Sequence, residues 1–301
     1  MKVLVTGGAG FIGAHVVRAL IRAGHEPLVL DRLDFGVNSW LPEVPLVQGD
    51  VADPAAVRPL LPPVAVVIHL AAQISVPVAE SDPVATARDN VVGTVGALEL
   101  AAQLGAREFR WASSAAVYGD PTGAVPIVED SSVAPQSIYG LTKWGAERLA
   151  AHLAAIRGVN LVTLRLANVY GPGQRTAGEG GVVARFCDAL ADGDAMVREG
   201  DGEQTRDFIY VEDVARAFLV RLGSSPSVLF NIGTGEATSV NRLGQLLAEA
   251  AGRSALWRDA APRPADIRDS VFDPEPARRW GFQAQTPLAE GLALTWRHWR
   301  A

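Results

Sequence analysis

Tyr139 and Lys143 stand four residues apart in the run Ser137-Ile138-Tyr139-Gly140-Leu141-Thr142-Lys143, a spacing that puts a phenol and an ammonium on one face of a helix. A tyrosine with an ordinary pKa of about 10 is protonated at pH 7, and each unit of depression takes about 1.36 kcal/mol of preference for the phenolate. A neighbouring ammonium can supply that preference, so the pair can exchange a proton with a substrate hydroxyl. The same spacing also occurs as an ordinary surface helix pair. Only the surrounding residues can separate the two readings.

A second group can hold an anion. Gly7-Gly8-Ala9-Gly10-Phe11-Ile12-Gly13 follows an apolar run and opens a helical pattern. Gly7, Gly10 and Gly13 allow a tight turn and close backbone approach to a pyrophosphate, while the free N–H groups at the helix start attract phosphates. Phe11 and Ile12 belong to the same cofactor-binding turn. Asp31 ends the next strand pattern, where a carboxylate accepts from an adenosine ribose and repels a 2′-phosphate. Together these predict a bound dinucleotide, with NAD preferred. Arg32, beside Asp31, is the feature that could favour NADP, because arginine can pair with a 2′-phosphate. Asp50 and Val51 after the third strand, and Ala71 and Ala72 after the fourth, are further cofactor candidates. Each also reads as strand-end turn chemistry, but strand carboxyl ends are where ligands bind in parallel sheets.

The elements that position these groups follow from the hydrophobic pattern. Strands are expected over 2–6, 26–31, 45–48, 65–70, 108–112 and 160–166, and helices over 11–23, 54–61, 84–104 and 139–157. Such alternation predicts βαβ units in an α/β fold, a Rossmann-type doubly wound parallel sheet. Glycine- and proline-rich loops after about residue 167 predict a smaller C-terminal substrate-binding lobe. The expected division is 1–167 for the NAD-binding domain, with return segments around 205–240, and 168–301 mainly for substrate. The stretch 288–299 reads as a packing helix.

Composition bounds the partners. The chain has 301 residues, 49% hydrophobic, with a formal net charge of −6. That length can bury a large core, and that charge argues against a general nucleic-acid binder. The single cysteine, Cys187, rules out an intramolecular disulfide and fits a reducing compartment. The five histidines are scattered without ligand spacing, so no metal site is assigned. With neither a leader-like start nor a long apolar span, the reading is cytoplasmic and without a membrane partner.

Motifs in order now carry a resemblance. His69-Leu70-Ala71-Ala72-Gln73, Ser113-Ser114-Ala115-Ala116-Val117-Tyr118-Gly119, the Tyr139 and Lys143 run, Asn168-Val169-Tyr170-Gly171-Pro172, Arg206-Asp207-Phe208-Ile209-Tyr210-Val211 and Asn231-Ile232-Gly233-Thr234-Gly235 join the glycine turn. Across nearly its whole length the chain resembles the extended short-chain dehydrogenase/reductase family, specifically its nucleotide-sugar epimerases of the UDP-glucose 4-epimerase type. The resemblance implies that Ser114 hydrogen-bonds the reacting hydroxyl, Tyr139 exchanges its proton, and Lys143 holds the nicotinamide ribose while favouring the phenolate. Dehydratases of this family place Asp-Glu after the active-site hydroxyl residue, and uronate decarboxylases a glutamate at the second position. Here Ala115 and Ala116 offer no acid or base, leaving reversible oxidation at one carbon.

By family position, Asn168, Arg206 and Arg263 are expected to anchor the nucleotide diphosphate, arginine through its planar donor fork. Ser270, seven residues after Arg263, is expected to leave room for an N-acetyl group, so that UDP-GlcNAc and UDP-GalNAc would be accepted beside UDP-glucose and UDP-galactose. The function implied is NAD-dependent 4-epimerisation of a UDP-sugar through a 4-keto intermediate. A UDP-glucuronate 4-epimerase, another nucleotide-sugar-modifying member of the extended family and a non-catalytic NAD-sensing protein are the alternatives. A homodimer through helices within 84–104 and 139–157 is implied as well, although those apolar faces could equally pack on their own sheet.

Overall fold

The computed structural model describes residues 1–120, 126–176, 181–262 and 267–299. In chain order, β1 (Lys2–Thr6) leads into α1 (Phe11–Arg22), β2 (Glu26–Asp31), β3 (Leu46–Gln48), the short α2 (Pro54–Val57) and β4 (Val66–His69). After α3 (Val76–Ser81) and α4 (Pro83–Ala87), residues Arg88–Val92 widen into a π-helical turn that runs on into α5 (Gly93–Gln103). β5 (Glu108–Ser114), α6 (Ile138–Arg157) and β6 (Asn160–Leu166) follow. The rest comprises β7 (Asn168–Tyr170), α7 (Val182–Asp192), β8 (Met196–Glu199), β9 (Thr205–Tyr210), α8 (Val211–Ala217), β10 (Val228–Ile232), β11 (Ala237–Ser239), α9 (Val240–Ala250), β12 (Trp257–Ala260), β13 (Asp269–Ser270), α10 (Glu275–Trp280) and α11 (Leu288–Trp299).

Seven strands form one sheet in the order β10-β6-β5-β4-β1-β2-β3, and every neighbouring pair is parallel. This is the doubly wound arrangement, with β10 added beyond β6. Strands buried on both faces read as continuous apolar runs rather than alternating ones, and Val66–His69 is buried throughout. Alternate residues of one strand feed opposite faces. Val3 and Val5 join Val16 and Leu20 of α1, Val214 of α8 and Phe218 just beyond it in one core. Leu4 between them joins Ala97 and Leu100 of α5 and Ala146 and Ala150 of α6 in the other.

A separate core gathers Phe186, Leu190, Leu243, Leu247, Leu292 and Trp296 from α7, α9 and α11. Beside it, β11, β9 and β13 form a small sheet with β7 paired to β9, and β8 pairs with β12. The helix expected over 84–104 is interrupted. It starts at Pro83, where Asp82 caps Ala85 N, and passes through the π-turn before α5. The helix expected over 54–61 ends at Val57 and tightens into a 3₁₀ turn whose N-terminal residues include Pro59. No described helix is long and apolar enough to cross a membrane.

Candidate active site

A cavity of about 420 Å³ opens at the carboxyl ends of β1, β2, β4 and β5, within the size range of small-molecule sites. It lies where the strand order reverses between β1 and β4, the switch point at which doubly wound sheets bind ligands. Gly7, Gly10, Phe11, Ile12 and Gly13 line it, with Asp31, Asp50, Val51, Ala71 and Ala72. So do Ser114, Tyr139, Lys143 and Asn168. Arg206 and Ser270 sit outside this lining, as register partners on β9 and β13. Arg263 lies outside the described residues.

On the cofactor side, α1 begins at Gly10 with no side-chain cap and no acidic residue in its first turn, leaving its N–H groups for an anion. A Cβ on Gly13 would stand 2.2 Å from Gly7 O, so helix and turn can touch only through glycine. Asp31 is fixed by two backbone donors, Ala9 N at 3.0 Å to Oδ2 and Leu33 N at 2.9 Å to Oδ1. Turn, helix terminus and oriented carboxylate fit a dinucleotide with a free ribose diol. Arg32 is engaged elsewhere: its guanidinium donates to both oxygens of Asp89, at 2.6 and 2.9 Å.

The chemical side is built by close packing. Ser137 caps α6 by accepting from Gly140 N at 3.1 Å. A Cβ on Gly140 would lie 2.6 Å from Ala116 O, so this glycine lets α6 press against the turn after β5 and carry Tyr139 to Ser114. Ser114 Oγ accepts from Ala116 N at 3.2 Å and hydrogen-bonds with the Tyr139 hydroxyl. Lys143 is 5% exposed. Its ammonium donates to Ala112 O at 3.0 Å, 6.0 Å from the Tyr139 ring centroid.

The expected depression of Tyr139 by Lys143 is not what the protein atoms produce. Burial raises the Tyr139 pKa, with the Ser114 hydrogen bond pulling the other way. Burial also pushes Lys143 down to about 8, opposed by the Glu147 carboxylate. One ammonium N–H goes to the Ala112 carbonyl, and burial outweighs the Ser114 hydrogen bond at Tyr139, so the protein atoms alone favour the neutral phenol.

Sequence reasoning missed the support beneath these groups. Glu147, one turn beyond Lys143, pairs with Arg165 at 2.9 and 2.7 Å and accepts from Ser113 Oγ. Arg165 donates to the Tyr118 hydroxyl at 2.7 Å, which donates to Asn231 Oδ1 at 2.7 Å. Ser113 is therefore part of a buried network, and Ser114 caps the turn after β5. Asn90 was missed too. It exchanges hydrogen bonds with the Gln73 backbone at 2.8 and 2.9 Å and donates to Thr142 Oγ1 at 3.0 Å, tying the end of β4 to α6. An asparagine within an apolar helical run was its signal.

The loop after β2, with α1 beside it, meets the segment that follows β7. His15 Nε2 donates to Pro172 O at 2.8 Å, and Asn38 Nδ2 to Gly173 O at 2.8 Å. Arg175, which could have been a surface residue, donates to the Phe35 and Val37 carbonyls. Trp40 stacks on His15 and meets the His298 ring edge-on. Phe35, Asn38 and Arg175 all line the cavity.

Known proteins match this arrangement along the whole chain. A UDP-glucose 4-epimerase of Mycolicibacterium smegmatis is 40% identical, over 98% of this chain and 97% of that protein. The crystal structure of a Thermotoga maritima UDP-glucose 4-epimerase with UDP-glucose superposes with a TM-score of 0.94 at 36% identity, covering 100% of this chain and 99% of that one. A Thermus thermophilus UDP-glucose 4-epimerase in complex with NAD gives 0.93 at 36% identity, with the same coverage. The sequence pattern of the NAD dependent epimerase/dehydratase family matches residues 3–233, from the first strand to the end of β10. With the glycine turn, the reversal point and the tyrosine helix each where that family's chemistry needs them, the chain belongs to the NAD-dependent epimerase/dehydratase family.

Proposed function

We propose that the protein interconverts the C4 epimers of a UDP-hexose, using NAD. The observation that carries this reading is the convergence of Ser114, Tyr139 and Lys143 on the cavity that the glycine turn and Asp31 also line. The turn after Ser114 holds only Ala115 and Ala116, so nothing there can protonate a leaving hydroxyl or promote loss of a carboxylate.

Bound NAD supplies a hydride acceptor that later returns the hydride, and a positive charge that favours the phenolate. Tyr139 takes the proton of the sugar 4-hydroxyl as the C4 hydride departs, and Ser114 hydrogen-bonds the same oxygen. Tyr139 then returns the proton once the 4-keto sugar has presented its other face. Lys143 holds the cofactor ribose and keeps a positive charge near the ring. No net redox change results.

Rotation of the sugar requires the grip to be on the nucleotide. Asn168 and Arg206 are proposed anchors, with Arg263 a further one by family position. Ser270 is 6% exposed on the strand beside Arg206; its small side chain supports acceptance of N-acetylated sugars. Residues 1–167 with the return around 205–240 are proposed to carry the cofactor, and 168–301 mainly the sugar nucleotide. Val84 and Val92 on one stretch, and Leu141, Leu149 and Ile156 on α6, are exposed apolar residues, which supports a homodimer through these helices. The lone, buried Cys187 supports a reducing, cytoplasmic setting.

Incubating purified protein separately with UDP-glucose, UDP-GlcNAc and UDP-glucuronate, and following products by NMR, tests the reading. Formation of the 4-epimers of the first two is the expected result. Turnover of the uronate alone would overturn it.

A further inference from the structure

Arg32 directly follows Asp31, where a guanidinium could receive a phosphate on the adenosine ribose. In the fold its planar fork is already matched, Nη1 and Nη2 to the two oxygens of Asp89 at 2.6 and 2.9 Å. Its Nε lies 2.9 Å from Asp34, and Asp50 stands 3.9 Å from Nη1. Arg88, the other nearby guanidinium, is bonded to Asp50 at 2.7 Å. Both Arg32 and Asp89 line the cavity. Asp89 belongs to the π-turn Arg88–Val92, a distortion frequent at functional sites.

We propose that Asp89 is a cofactor-specificity determinant: by holding Arg32 in a bidentate pair it keeps that guanidinium from a 2′-phosphate, so the site takes NAD and rejects NADP. A 2′-phosphate has two ways in. It can displace Asp89, costing that partly buried carboxylate its bidentate partner and leaving it only the 3.7 Å contact with Arg88. Otherwise it enters as an added anion among Asp31, Asp34, Asp50 and Asp89, whose ion-pair partners among the described residues are Arg32 and Arg88. The Asp34 contact is more than half exposed and contributes little, so Asp89 is the decisive partner. This inference rests on the NAD reading above and names a residue that sets its selectivity.

Equilibrium titration of NAD and NADP onto the wild type, Asp89→Asn and the Asp89→Asn/Arg32→Ala double variant tests it, with thermal melting read alongside. Asp89→Asn is expected to raise the NADP-over-NAD affinity ratio roughly tenfold, the scale of one charged hydrogen bond. The double variant is expected to lose that gain, since no guanidinium remains to use. An unchanged ratio, or equal weakening of both cofactors, would make Asp89 purely structural and overturn the proposal. An equal gain in the double variant would assign the effect to net charge rather than to Arg32. Asp89→Ser serves the same comparison if the asparagine variant does not fold. Failure of the wild type to bind NAD would instead undo the cofactor reading.

Discussion

The cofactor half and the sugar half of this site are built differently. On the cofactor side the candidate groups are local and held by the backbone: the glycine turn runs straight into α1, and Asp31 accepts from Ala9 N and Leu33 N. On the sugar side, the proposed anchors are dispersed. Asn168 lines the cavity, whereas Arg206 and Ser270 pair on neighbouring strands outside it. The difference follows from what each ligand part requires. A pyrophosphate is met by fixed N–H groups, while a sugar that must turn over is best held through its nucleotide by side chains that leave the ring loose.

Four substitutions or titrations probe that contrast. Tyr139→Phe removes the proton exchange itself; turnover should fall by roughly 10²–10⁴ with NAD still bound, read by steady-state assay and cofactor absorbance. Retained turnover would strip Tyr139 of its role. Gly13→Ala forces a Cβ to 2.2 Å from Gly7 O; overpacking of this kind costs about 1–3 kcal/mol. It should weaken NAD binding roughly ten- to a hundredfold with the overall fold retained by circular dichroism.

On the sugar side, Arg206→Ala should raise the UDP-sugar KM about tenfold, the scale of one charged hydrogen bond, with kcat and bound NAD little changed. A loss of NAD instead would erase the distinction between the halves. The smallest effect is in pH dependence. Burial raises the Tyr139 pKa, so its base form, and the rate with it, should grow as pH rises. It should fall again as Lys143 loses its proton near 8. Glu147 raises Lys143, so Glu147→Gln should move the descending limb to lower pH by less than about one unit. A lowered melting temperature with both limbs unmoved would leave Glu147 a purely structural residue.

The sequence was most legible where chemistry is local. The glycine turn, Asp31 and the tyrosine helix depend on neighbours within one or two elements, and strands 2–6, 26–31 and 160–166 fall as their patterns indicate. What could not be read was long-range pairing. That Arg32 meets Asp89, or that Ser113 and Arg165 converge on Glu147, depends on how the crossovers stack, and no spacing in the chain encodes it. Burial was equally hidden. The tyrosine and lysine spacing implied an attraction that favours phenolate, but it could not show an ammonium turned to a carbonyl 3.0 Å away.

The ties from His15, Asn38 and Arg175 to the opposite lobe bear on how long a nucleotide stays. The loop carrying Phe35 and Asn38 walls the groove, and it is fastened to residues 172–175. Departure past this wall must break these hydrogen bonds as well as leave the groove, so substitutions that remove them are expected to shorten the time a nucleotide stays. An isomerase that hands back the hydride it borrowed gains nothing from exchange with the free pool.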